Sequence, residues 1–128
     1  MPMLGTIEWW QEFKKLWDAD KVTVKLLKGF STTMITKISD KPKMKPILQR
    51  IEDGKVVEIR HAEPDDKAEF VYEAPMEVWK DILQEKIEPA KALLSGKLKM
   101  VGPMLKVQEY MKGWIRTMDL QKKVPTEW

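Results

Sequence analysis

A chain of 128 residues with 43% hydrophobic side chains is the size of one domain and can bury one substantial core. Its 23 basic and 20 acidic side chains leave a formal charge of only +3, and the lysines are scattered among carboxylates, as in Lys14, Lys15 and Asp18, which speaks against a nucleic-acid partner and for a solvated mixed surface. Cysteine is absent, so disulfides, thiolate metal sites and cysteine nucleophiles are excluded together.

Met1 to Thr6 lacks the basic leader and apolar core of a signal peptide, and no run approaches the roughly 20 apolar residues of a membrane span. A soluble protein in a reducing, cytoplasmic setting is expected. From Ile7 to Trp17, the residues Trp9, Trp10, Phe13, Leu16 and Trp17 fall at helical spacing opposite Glu8, Gln11, Glu12, Lys14 and Lys15, which predicts an amphipathic helix. Asp20 can cap a second short helix that stops at Gly29, although Val22, Thr23 and Val24 would also suit a strand. Phe30 to Ile38 reads as a strand. Pro42 and Pro46 then interrupt pairing, and Asp53-Gly54 supplies the positive φ angles of a tight hairpin between Ile47 to Glu52 and Lys55 to Ala62, with Val57, Ile59 and His61 in one phase. Glu63 to Lys67 is turn chemistry, after which Ala68 to Ala74 alternates as a further strand.

Pro75 opens a helix with Met76, Trp79, Ile82 and Leu83 on one stripe, reaching about Lys86. Pro89 opens another, short one, holding Ala92, Leu93 and Leu94 and ended by Gly96. The stretch Gly96 to Met104 follows, an apolar wall without reactive groups: Lys97 to Val101 is a strand with Leu98 and Met100 on a shared face, and Gly102-Pro103 turns it into a last helix. There Met104, Val107, Met111, Trp114 and Met118 recur at three and four residues, giving a helix of roughly 22 Å, long enough to cover a small sheet. The sum is an α+β domain over residues 1 to 128, with a five-stranded, mostly antiparallel sheet covered by helices. Its ends, Met1 to Gly5 and Gln121 to Trp128, read as loosely held, which leaves an ordered core over about 6 to 118 and a tail over 119 to 128.

Reactive constellations are missing from this pattern. His61 stands alone on a strand, Asp65-Asp66 and Glu52-Asp53 sit in turns, and Ser31 and Ser95 have no base beside them. Gly96, Gly102 and Gly113 are wrongly spaced for a phosphate loop. No catalytic residue, metal ligand or cofactor is expected. Nine methionines and six tryptophans instead offer adaptable, aromatic apolar surface, which at helical spacing more often fills a core than lines a cavity for a variable ligand.

The run from Phe70 to Met104 resembles the conserved half of the sterol carrier protein (SCP-2-like sterol-binding) domain family. The likeness is carried by a strand and helix leading into Glu85-Lys86-Ile87-Glu88-Pro89, then Ala92, Leu93 and Leu94, then Gly96-Lys97-Leu98-Lys99, Met100-Val101, Gly102 and Met104. The leading amphipathic helix and the Asp53-Gly54 hairpin fall in the order that family uses. Glu85 stands where the family often has glycine, and Pro103 where asparagine is common, so the local loop and the entrance to the last helix are expected to differ. The resemblance implies a five-stranded sheet with an apolar tunnel between sheet and helices that takes up fatty acyl, sterol or other hydrophobic ligands without catalysis. Its expected lining is Trp79, Leu83, Leu94, Met100, Met104, Val107, Met111 and Trp114, with Phe70 and Tyr72 from the sheet. Surface lysines would assist a weak contact with anionic membranes. The competing expectations are a structural or dimerising domain using Trp9, Trp10 and Trp17, and a small-molecule enzyme using His61 or Tyr110. Either a monomer or a homodimer fits.

Overall fold

The computed structural model describes every residue from Met1 to Trp128. Helix α1 (Ile7–Ala19) starts at Thr6, whose hydroxyl accepts the Trp9 N–H, and buries Trp9, Trp10, Phe13 and Trp17 along one stripe. Helix α2 (Lys21–Leu26) forms despite its β-branched residues, because the Asp20 carboxylate accepts hydrogen bonds from both the backbone and the hydroxyl of Thr23. The same carboxylate receives two guanidinium hydrogen bonds from Arg116, at 2.9 and 3.1 Å, which pin this corner to the end of the chain and hold Asp20 well below the usual carboxylate range.

Strand β1 (Thr32–Ile38) is followed by the hairpin of β2 (Ile47–Glu52) and β3 (Lys55–His61). At its turn Asp53 and Gly54 have φ of 49° and 80°, as the Asp-Gly pair predicts. Gly54 is also a packing requirement: a Cβ there would lie 2.8 Å from the Leu27 carbonyl oxygen, while the Gly54 carbonyl accepts the Trp17 indole N–H at 2.8 Å. A bulge at Arg50/Ile51 shifts the hairpin register, so Val56 opposite Ile51 is buried and Val57 is exposed. That takes Val57 out of the expected phase, while Ile59 and His61, opposite Gln49 and Ile47, keep it. After a crossover come β4 (Phe70–Ala74), α3 (Met76–Leu83), α4 (Pro89–Leu94) and β5 (Lys99–Val101).

The last predicted helix is two. Helix α5 (Met104–Glu109) ends at Tyr110, whose φ of −109° and ψ of 18° break the helical path before α6 (Met111–Gln121). The tail expected to be loose is packed: Leu120, Gln121, Val124 and Thr126 are buried, Trp9 donates its indole N–H to the Thr126 hydroxyl at 2.9 Å, and the Glu127 N–H reaches the Pro2 carbonyl. The extent of 6 to 118 predicted for the ordered part is therefore too short.

The sheet order is β3-β2-β1-β4-β5, with β1 and β4 parallel and the other pairs antiparallel. On its inner face Met34, Ile47, Ile51, Phe70, Tyr72 and Ala74 join Trp9, Phe13, Trp17 and the inward residues of α3 and α6 in the main core. On its outer face Ile35 and Leu48 are covered by Ala62 and Ala68, the two ends of the β3–β4 crossover. Arg60 fixes that crossover by a two-point pair with Asp66, at 2.7 and 2.9 Å, which keeps the Asp66 carboxyl down at about 2. No helix is long and apolar enough to cross a membrane.

Candidate functional site

Period-two alternation in β1, β2 and β4 turns Met34, Thr36, Gln49, Phe70 and Tyr72 toward the helices, and the helices answer with residues three, four or seven apart. Trp10, Phe13 and Trp17 project from α1, Val107 from α5, and Trp114, Thr117, Met118 and Gln121 from α6. Leu27, Phe30, Trp79, Leu98, Lys106 and Tyr110 close the gaps. Between these walls lies a cavity of about 50 Å³. At roughly 10–15 Å³ of such space per water molecule, it is a narrow seam rather than an open tunnel.

The walls are aromatic. Phe30 packs on Tyr110 with ring centres 4.7 Å apart, Phe70 lies 6.4 Å from both Phe30 and Tyr72, and Tyr72 stacks on Trp114 at 6.4 Å with an interplanar angle of 11°. Burial pushes the Tyr72 phenol well above the usual tyrosine range, so it stays neutral at any physiological pH. Close approach of α6 to the end of α2 needs Gly113, because a Cβ there would sit 2.2 Å from the Leu27 side chain that forms part of the wall.

The polar residues in the wall are Thr36, Gln49, Lys106, Thr117 and Gln121. Thr117 returns its hydroxyl to the Trp114 carbonyl at 2.7 Å. Lys106 is partly exposed at the α5 edge, where its ammonium donates to Glu69 at 2.7 Å and the Ser31 carbonyl at 2.8 Å and lies 5.3 Å from the centre of the Phe30 ring. Burial works against the Glu69 carboxylate, yet the Lys106 and Thr32 hydrogen bonds outweigh it and keep the group below its ordinary range. Gln49 is only 3% exposed, and its side-chain NH₂ has no hydrogen-bond partner. No carboxylate or imidazole lines the cavity, and no group of three acidic or histidine side chains gathers elsewhere that could hold a metal ion.

Of the residues the sequence proposed as lining, Phe70, Tyr72, Trp79, Val107 and Trp114 stand in this wall. Leu83 is buried but faces a smaller neighbouring space of about 20 Å³, with Trp9 and Ile47. Met100 and Met111 are half-buried against the core outside the wall. Leu94 and Met104 are on the surface, 87% and 54% exposed, which contradicts their proposed place. The reasons are local: α4 is too short for its spacing to reveal a face, and Pro89 and Ala92 are the residues it buries. The break at Tyr110 removes Met104 from the stripe that a continuous helix would have given it. Sequence reasoning missed Trp10, Phe13, Trp17, Leu27, Phe30, Met34 and Gln49 as wall residues. The tryptophan stripe of α1 is visible in the sequence, but a partner-binding face would leave it open, and its burial in the monomer removes that basis for a dimer. His61 is exposed at the end of β3, away from the cavity, whereas Tyr110 does line it.

The family model described as the SCP-2 sterol transfer family matches residues 12–113. No curated protein matches the sequence. Among solved structures, a crystal structure of sterol carrier protein 2 is similar with a TM-score of 0.84 at 20% identity, over 94% of this chain and 98% of that one. A solution structure of a conserved hypothetical protein from Thermus thermophilus follows at 0.83 and 19% identity, over 99% and 93%. The stereoselective inverting sec-alkylsulfatase from Pseudomonas sp. is similar at 0.51 and 18% identity, over 70% of this chain but 14% of the enzyme. At such identities these likenesses are of fold.

Proposed function

The chain belongs to the SCP-2 sterol transfer family, and from that premise we propose that it binds a lipid with an apolar chain in the cavity between sheet and helices, and passes it on without chemical change. The observation that carries this reading is the aromatic, carboxylate-free wall of that cavity, drawn from the sheet and from both ends of the chain. Burying apolar chain yields about 0.8 kcal/mol per methylene, so affinity there requires shape and dryness rather than reactive groups.

A space of about 50 Å³ is too small for such a chain, so entry requires the walls to part. Helix α5 is the element suited to move, since Val107 is its only buried residue and Tyr110 already interrupts the helix behind it. The Lys106 contacts to Glu69 and Ser31 would latch it. The apparent affinity is then the affinity of the open form multiplied by the fraction of molecules that are open. On this lid Met104 and Leu105 are exposed, and beside it Val101 and Lys99 are exposed on β5 and Lys97 on its approach, which favours weak docking on an anionic membrane while the ligand passes.

The test is to strip the purified protein with organic solvent, identify the extract by mass spectrometry, and titrate the stripped protein with a fluorescent fatty acid. Recovery of lipid and saturable uptake at one site per chain are expected. A clean extract with no uptake would overturn the proposal.

A further inference from the structure

On the inner face of β2, position 49 lies between Ile47 and Ile51, both essentially inaccessible, and its cross-strand neighbours are Met34 and Ile59. An aliphatic side chain is what this surrounding selects, and glutamine is there instead. Its amide lines the cavity, is 3% exposed and has a nitrogen without any acceptor. An amide buried without a partner weakens a fold, whereas methionine of nearly the same shape would not. In the unliganded protein a few water molecules fit the seam beside the Gln49 side chain. A chain that fills the cavity displaces them, and the ligand itself must then satisfy Gln49.

We propose that Gln49 selects the chemistry of the ligand's inserted end, which carries a neutral hydrogen-bonding oxygen, a hydroxyl or carbonyl, rather than a bare methyl. This inference rests on the lipid-binding reading above and adds a class of ligand to it. The oxygen is neutral because the only charged residue in the wall is Lys106, at the partly exposed α5 edge and already engaged by Glu69 and Ser31. A carboxylate driven to Gln49 would meet only neutral amides and hydroxyls in place of its hydration, which is too little. Of the five polar residues in the wall, Thr36, Gln49, Lys106, Thr117 and Gln121, these two differ most: Lys106 is a cation at the edge toward solvent, and Gln49 a buried neutral amide whose nitrogen is unpaired.

The experiment displaces a bound fluorescent fatty acid with hexadecanoate and with 16-hydroxyhexadecanoate, which differ only at the end remote from the carboxylate, on the full chain and on its Gln49→Met variant. The unaltered protein is expected to bind the hydroxylated chain at least as tightly as the plain one. Gln49→Met should lose roughly tenfold in affinity for the hydroxylated chain, whose hydroxyl would then be buried unpaired, and should bind the plain chain more tightly than the unaltered protein does, because no amide is then left without a partner. Without ligand, Gln49→Met should unfold at a higher temperature than the unaltered protein. Preference for the plain chain on the unaltered protein overturns the inference by itself, even if the variant fails to fold, and equal preferences in the two proteins overturn it also. No displacement by either chain in a protein that does hold the fluorescent acid would likewise overturn it, whereas no uptake of the fluorescent acid at all overturns the lipid-binding reading first.

Discussion

Glu85 has a φ of 62°, a left-handed conformation that costs a residue with a Cβ roughly 1–2 kcal/mol. It is the residue after the C-cap of α3, where the Lys86 N–H reaches the Asp81 carbonyl at 2.8 Å and the Glu85 N–H reaches that of Ile82, the two bonds of a Schellman ending. Glycine is what this position favours, and Glu85 gains in exchange only an exposed 4.0 Å pair with Lys122. Glu85→Gly is therefore expected to stabilise the protein by about 0.5–1 kcal/mol, read as a rise in the urea midpoint without a change in slope. The departure from the family pattern at this position thus has a physical content. At the same scale Gln49 is legible as a polar residue in phase with Ile47 and Ile51 within an inward-facing row, yet one glutamine in a strand signals nothing until its partners are known.

Elements were legible where local chemistry dictates them. The Asp53-Gly54 turn, the Asp20 cap of α2 and the proline starts of α3 and α4 each follow from a backbone requirement within four residues. What the sequence hid depends on distant contacts. The bulge at Arg50/Ile51 is set by pairing between strands, and the interruption at Tyr110 places its ring 4.7 Å from that of Phe30 instead of continuing the helix. Helix α5 on the near side of that interruption is latched by a titratable pair. Glu69 ordinarily titrates near 4.5 and is held lower in the folded protein, so its contribution is complete above that value and is lost as pH falls through the depressed one. Release of a bound fluorescent fatty alcohol, which does not itself titrate, should accelerate as pH falls below about 4.5. Glu69→Gln should release it quickly at neutral pH and flatten the dependence in stopped-flow measurements. An unchanged rate in that variant would dissociate the latch from the gate.

Across the whole molecule, the cavity wall takes Trp10 from near one end of the chain and Gln121 from near the other, with β1, β2 and β4 between them. Layers and sheet composition followed from periodicity, but the cavity did not, because its outline depends on which side chains of already apolar stripes fail to meet. The central strand β1 joins the local β2–β3 hairpin to β4, whose Phe70 stands opposite Met34 after a long excursion of the chain. Pairings of that kind close late, after the loop entropy has been overcome. A site assembled from both extremes of the chain is then complete only when folding is, and this assigns a kinetic side to ligand binding. A bound lipid should leave the refolding arm of the chevron where it is and lower the unfolding arm, lengthening the life of the native state without hastening its formation.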